Sequence, residues 1–243
     1  MAGVLALDFD GVVCDALEEC ALVTWLAVKR HDRSIPGPSH VGLLPADFTA
    51  RFQKVRNYSR LLDHFAVAHL PAADGVGSQT DFDLLFTSLP SDYVSRFTTA
   101  ASRARDWFRT EETEFWLGQH TLYPGLDNLL RQNSGNVAII TAKDEESVRA
   151  ILRRHGLEQT VSEVFGECGR KAEAVQELCS RRGITPNSLT FIDDNLTNVR
   201  RVSAVGARAR WAQWGYQTPE HRQEAKRFDV EPLELSDLPQ LVV

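Results

Sequence analysis

The stretch Val4-Leu5-Ala6-Leu7-Asp8-Phe9-Asp10-Gly11 decides the reading of the fold: four apolar residues in succession, then an abrupt change to acid, aromatic, acid and glycine. A short continuous apolar run that stops at a turn reads as a strand buried on both faces. The same plan recurs at Val137-Ala138-Ile139-Ile140, which stops at Thr141, and at Leu189-Thr190-Phe191-Ile192, which stops at Asp193-Asp194. Helical stretches follow the last two. Asp144 to His155 opens with three acids, and Asn195 to Val205 carries Val199, Val202 and Val205 at helical spacing before Gly206. Apolar strands alternating with helices imply an α/β fold, a parallel sheet with helices on both faces.

Between Asp15 and about Gly118 the pattern changes. Leu17, Ala21, Leu22, Trp25 and Leu26 fall on one face of a first helix, and the Arg51 to Leu70 segment carries a second stripe at Val55, Leu62, Phe65 and Ala66. Further helical patches run over Asp92–Ala101 and Ser102–Trp116, with breaker-rich loops at Pro36-Gly37-Pro38 and from Pro71 to Gly77. Residues 16–118 are therefore expected to form an all-helical domain inserted into a core made of 1–15 and 119–243. The chain would return through Leu122-Tyr123-Pro124-Gly125.

Composition narrows the classes of partner. The chain has 243 residues, 43% hydrophobic and 25% charged, which suits a packed globule. Its 27 Lys and Arg face 33 Asp and Glu, a net charge of −6, which argues against nucleic acid or an anionic membrane as partner. The apolar runs are too short for a membrane span, and the amino end lacks the basic flank of a signal peptide. Cys14, Cys20, Cys168 and Cys179 form no C-x-x-C pair and no histidine cluster completes a zinc set, so a reduced cytoplasm is the expected location.

In an open parallel sheet the carboxyl ends of the strands border one crevice, which draws Asp8, Asp10, Thr141, Asp193 and Asp194 toward a common place. Converging carboxylates repel one another unless a cation sits among them, and a hard oxygen-seeking divalent ion such as Mg²⁺ meets that need. Carboxylates and metal without thiol or imidazole suit phosphoryl chemistry. Asp8 is then a nucleophile forming an aspartyl-phosphate, and Asp10, two residues on, an acid and base. Gly11 permits the turn that brings Asp10 back over the site and turns backbone N–H groups toward phosphate. Thr141 offers a hydroxyl and an N–H at the start of a helix. Lys171 stands in the first turn of an expected helix Lys171–Arg182, where a cation opposes the macrodipole by a few tenths to about 1 kcal/mol, so an anion, Asp8 or a phosphoryl group, is expected beside it. Each of these acids, and Thr141, taken singly also reads as a helix cap or turn residue.

With Asp8-Phe9-Asp10-Gly11-Val12-Val13-Cys14-Asp15, Thr141, Lys171 and Phe191-Ile192-Asp193-Asp194-Asn195 in this order, the chain resembles the haloacid dehalogenase superfamily. The resemblance implies a Rossmann-like core and a helical cap. It implies a phosphatase with Asp8 as nucleophile, Asp10 as general acid/base, and Mg²⁺ held by Asp8, the backbone carbonyl of Asp10 and Asp194. Aspartate at position 10 argues against the halide-displacing members. Asp193 stands where a glycine is common and Asn198 where a second acid often stands, so both are expected to support Asp194 rather than replace it. Arg56, within Val55-Arg56-Asn57-Tyr58, resembles a cap arginine of some relatives and is expected to touch substrate, with Lys143 as a second contact at the rim. The expected reaction is hydrolysis of a small phosphorylated metabolite. Its rivals are a phosphoryl-transferring mutase with the same core motifs, a signalling receiver domain, which Asp10 and the long insertion disfavour, and a catalytically silent binding protein.

Overall fold

Leu5, Leu7, Ile139 and Ile192 are all fully buried, and the strands that carry them lie side by side at the centre of a parallel sheet. In this computed structural model, which describes residues 3–29 and 44–243, the strands are β1 (Val4–Leu7), β2 (Cys14–Asp15), β3 (Thr121–Leu122), β4 (Val137–Ile140), β5 (Val161–Phe165), β6 (Leu189–Asp193), β7 (Arg208–Ala212) and β8 (Glu231–Leu233). Six of them form one all-parallel sheet in the order β5-β4-β1-β6-β7-β8, and β2 and β3 pair separately and antiparallel. The strand order reverses direction around β1, which puts the crevice of a doubly wound sheet at its carboxyl end.

The alternation of side chains along the strands explains the layers. Val4, Ala6, Ala138, Ile140, Leu189 and Phe191 pack with Val175, Leu178 and Cys179 of the helix Lys171–Arg182. The intervening Leu5, Leu7, Val137, Ile139 and Ile192 are equally buried, so both faces of the sheet are covered, as parallel sheets require. Farther along, Leu196 and Val199 of the helix Leu196–Ala204 pack with Trp211 and Ala225.

The chain divides into two compact units, one of Met1–Asp15 with Thr121–Val243, the other of Ala16–His120. Among its described residues the second unit contains helices Leu17–Lys29, Ala46–Arg56, Gln79–Ser88, Ser91–Glu111 and Thr113–Gly118, with 3₁₀ turns at Leu62–His69 and Pro71–Gly75. The expected Pro36-Gly37-Pro38 loop lies outside the described residues. The single stripe from Arg51 to Leu70 is in fact interrupted. The helix stops at Arg56, the Ser59 hydroxyl (2.9 Å) and N–H (3.1 Å) both reach back to the Val55 carbonyl, and the chain resumes as a 3₁₀ turn. Phe48, Phe52 and Val55 nevertheless share one core with Phe65, Phe82 and Phe97. The two patches expected over Asp92–Ala101 and Ser102–Trp116 are one helix as far as Glu111, with a break at Glu112 before Thr113–Gly118. A buried ion pair joins the helices Leu17–Lys29 and Ser91–Glu111: the Arg105 fork meets Glu19 at 2.6 and 3.1 Å. No helix among the described residues is long and apolar enough to cross a membrane.

Candidate active site

Asp8 follows the last residue of β1 directly, and its N–H continues the ladder to the Ile192 carbonyl at 2.9 Å. That bond fixes the carboxylate at the sheet's carboxyl edge beside Asp193 and Asp194, which end and follow β6. Carboxylate oxygens of Asp8, Asp193 and Asp194 lie within 4.8 Å of one another. Three acids this close, all buried, demand compensating positive charge.

Part of it is supplied by Lys171, at the first position of its helix. Its Nζ stands 2.8 Å from Asp8 Oδ1 and 2.8 Å from Asp193 Oδ2. Burial alone would depress the ammonium's pKa, but Asp193 and Asp8 outweigh it and the net direction is upward. Complete burial raises the Asp193 carboxyl, Lys171 draws it back, and the balance leaves it at about 6. The two partners thus pull in opposite senses, one toward the ion pair and the other toward a neutral acid. The hydrogen bonds favour the ion pair: Asp193 Oδ1 accepts the Asn195 N–H (2.7 Å), and Oδ2 accepts Lys171 Nζ and Asn198 Nδ2 (3.0 Å), all donors to an acceptor.

These contacts separate the roles of the neighbouring acids. Asp193, fully buried and engaged by protein donors at both oxygens, holds Lys171 and Asn198 in place. Asp194 has a different neighbourhood. Gly11, at φ +93°, approaches it so closely that a Cβ there would stand 2.7 Å from Asp194 Cγ, and the Tyr216 N–H donates to Oδ2 at 2.7 Å. Asp8 takes Phe9 N–H (2.7 Å) and Lys171 on Oδ1, and among the described residues no donor reaches its Oδ2.

Asp10 sits in the turn closed by Gly11 N–H to the Cys14 carbonyl at 2.8 Å. Lys143 Nζ lies 3.2 Å from Asp10 Oδ2, while Asp10 Oδ1 is buried and has no hydrogen-bond partner among the described residues. Lys143, expected at the rim, is instead buried, its ammonium on Asp10. Thr141 is also placed differently from expectation. Its N–H donates to the Phe165 carbonyl at 3.0 Å, and the following helix starts only at Glu145 behind an Asp144 cap, so the hydroxyl alone is available to a ligand. The loop carrying Thr141 and Lys143 is pinned by Cys168 N–H to the Thr141 carbonyl and Glu167 N–H to the Lys143 carbonyl. A close approach of Gly166 to Glu145 N also pins it, since a Cβ there would come to 2.6 Å.

Arg56 belongs to the other unit. Its guanidinium lies over the Phe65 ring at 5.5 Å and donates to the Ser59 carbonyl at 3.4 Å. The residues that sequence reasoning did not reach lie at and just past the end of β7: Trp211, Gly215 and Tyr216, which approach Asp194, and Trp214, which donates to the Val12 carbonyl. The signal was present, since they stand at the carboxyl end of a parallel strand, but β7 begins Arg208-Ala209-Arg210 and does not announce itself as one.

A parallel sheet whose central strand ends in an acid, faced by a second acidic pair and a buried lysine, defines a class of protein. The sequence model of the haloacid dehalogenase-like hydrolases matches residues 3–206, and the chain belongs to that family. A phosphoglycolate phosphatase of Synechococcus elongatus is 28% identical over 102 residues, 39% of this chain and 47% of that protein, so the chain spans about half the length of this curated relative. Among solved structures, a predicted phosphoglycolate phosphatase from Haemophilus somnus 129pt superposes with a TM-score of 0.64 at 18% identity, covering 98% of this chain and 97% of the other. A predicted phosphatase from Clostridium acetobutylicum gives 0.64 at 14% identity, covering 98% and 95%. At such identities the structural likeness concerns the fold.

Proposed function

We propose that the chain is a Mg²⁺-dependent phosphomonoesterase acting on a small phosphorylated metabolite through an aspartyl-phosphate at Asp8. The observation that carries this reading is the meeting of Asp8, Asp193 and Asp194 oxygens within 4.8 Å, with Lys171 between the first two. The donor set fits a hard divalent cation: the converging groups are carboxylate oxygens, and among the described residues no thiol or imidazole joins them. Asp8, the Asp10 carbonyl and Asp194 would hold the ion, because Asp193 is already engaged by Lys171, Asn195 and Asn198. When bound, it supplies charge neutralisation at the phosphoryl oxygens.

The chain's own residues do the rest. Asp8 Oδ2, which meets no donor among the described residues, attacks phosphorus as the P–O bond to the leaving alcohol breaks. Lys143 occupies Asp10 Oδ2, so Oδ1 is the atom that holds the proton delivered to that alcohol oxygen. The resulting Asp10 carboxylate takes a proton from water as the water attacks phosphorus, which frees Asp8 and releases inorganic phosphate. Lys171, 2.8 Å from Asp8 Oδ1, orients the nucleophile and offers positive charge to the transferring oxygens, and the Thr141 hydroxyl donates to a phosphoryl oxygen. Arg56 is assigned to substrate selection within the helical unit, which takes the part of a cap.

The names of the relatives make 2-phosphoglycolate the first compound to test. Phosphate release measured over phosphorylated acids, sugars and nucleotides should require Mg²⁺, stop with chelator, and vanish in Asp8→Asn. A folded, metal-loaded protein that turns over none of them overturns the reading.

A further inference from the structure

Asp194 is gripped from a part of the chain that lies beyond the family match at residues 3–206. From the end of β7 the chain runs Trp211-Ala212-Gln213-Trp214-Gly215-Tyr216, the first two still in the strand. Trp211 Nε1 donates to the Asp194 carbonyl at 2.8 Å, and the Tyr216 N–H donates to Asp194 Oδ2 at 2.7 Å. The same short stretch also holds the amino-terminal loop, through Trp214 Nε1 to the Val12 carbonyl at 3.0 Å and Tyr216 Oη to Asp15 Oδ1 at 2.8 Å. Gly215 lies between the two attachments. A Cβ there would overlap the Gly11 carbonyl oxygen and stand 2.5 Å from Asp194 Cβ, so the strap passes this point only because residue 215 lacks a side chain.

We infer that Trp211–Tyr216 is a positioning strap that sets the separation of Asp194 from the Asp8–Asp10 loop, with Gly215 and Tyr216 as positioning residues for the metal. The inference rests on the Mg²⁺ site proposed above. Its physical basis is the repulsion among the acids. Carboxylates held a few ångströms apart at low dielectric drive one another away, and a site that binds a small ion must hold them at the right spacing beforehand. Asp8 is held by its strand and Lys171; Asp194 stands one residue past the end of β6, where the strap restrains both its carbonyl and its carboxylate. Tyr216 joins both sides in one residue, its backbone on the late acid and its phenol on the early loop. Outer contacts of this kind alter metal affinity when lost, even though they never touch the ion.

The test is Mg²⁺ binding to the full chain by isothermal titration calorimetry, with urea denaturation of the metal-free protein as the reference for folding. Gly215→Ala should weaken Mg²⁺ affinity by about tenfold or more, and Trp211→Phe and Tyr216→Phe each by about three- to tenfold. In the two Phe variants kcat should return toward wild type as Mg²⁺ is raised, a rescue that a general loss of structure does not give. Asp194→Asn marks the site itself and should abolish binding. Wild-type affinity in Trp211→Phe and Tyr216→Phe, while Asp194→Asn no longer binds, overturns the strap and leaves the metal site standing, and this holds whether or not Gly215→Ala folds. Mg²⁺ binding that survives in Asp194→Asn overturns the site and the strap together.

Discussion

Replacing Lys171 by methionine keeps the length of the side chain and removes its charge from between Asp8 and Asp193. The two carboxylates then face each other with oxygens within 4.8 Å. At an effective dielectric of about 20 their repulsion is about 3.5 kcal/mol, in line with the roughly 3–5 kcal/mol lost when one partner of a buried ion pair is deleted. The penalty should depend on pH in a definite sense. Asp193 stands at about 6 with Lys171 in place, and Lys171 is a lowering influence, so the variant's carboxyl moves higher still. A carboxyl raised above its unfolded value of about 3.9 adds stability below that value and loses it as pH rises through the folded one, so the window opens near pH 4 and extends above 6 in the variant. The gap between wild type and Lys171→Met should therefore be about 3–5 kcal/mol near pH 8 and narrow toward pH 5 as Asp193 takes up a proton. Urea denaturation in the presence of chelator, at intervals across that range, measures it. A gap below about 1 kcal/mol at the alkaline end, or one that stays constant down to pH 5, refutes the account of Lys171 as the neutralising cation.

Two further outcomes follow from single contacts. Gly11→Ala should lose at least about 1–2 kcal/mol from its positive φ alone, with more from overlap with the Asp194 carboxylate; chemical denaturation showing a loss under about 0.5 kcal/mol contradicts the dependence of this turn on glycine. In the helical unit, Glu19→Leu or Arg105→Met alone should cost about 3–5 kcal/mol by stranding a buried charge, and the double variant should recover at least half of that in thermal unfolding.

The parallel core was legible because its central strands are buried on both faces and so leave short continuous apolar runs such as Val4–Leu7 and Val137–Ile140, each ending in turn residues. Strands nearer the edges were not. β5 contains Ser162 and Glu163, β7 contains Arg208 and Arg210, and β8 contains Glu231 and Pro232, since half-exposed strands can carry polar side chains. The convergence of Asp8, Lys171, Asp193 and Asp194 followed from strand ends and a misplaced cation. What the sequence did not reveal was which acid each donor would choose. The distinction between Asp193 and Asp194 rests on Asn198, Lys171 and the Tyr216 N–H, and the burial of Lys143 against Asp10 depends on how the loop after β4 is pinned by Gly166 and Cys168. Backbone hydrogen bonds made across such distances in the chain leave no periodic trace.

The small antiparallel ladder, in which Cys14 faces Leu122 and Asp15 faces Thr121, bears on how such a chain can change over time. Paired residues of this kind stand about 5 Å apart, so the polypeptide departs from and rejoins the α/β unit at neighbouring points. In topological terms the whole Ala16–His120 unit is the loop of a two-strand hairpin. Closure entropy rises only with the logarithm of loop length, so that loop can be lengthened, pruned or exchanged wholesale while the register of the central strands is preserved.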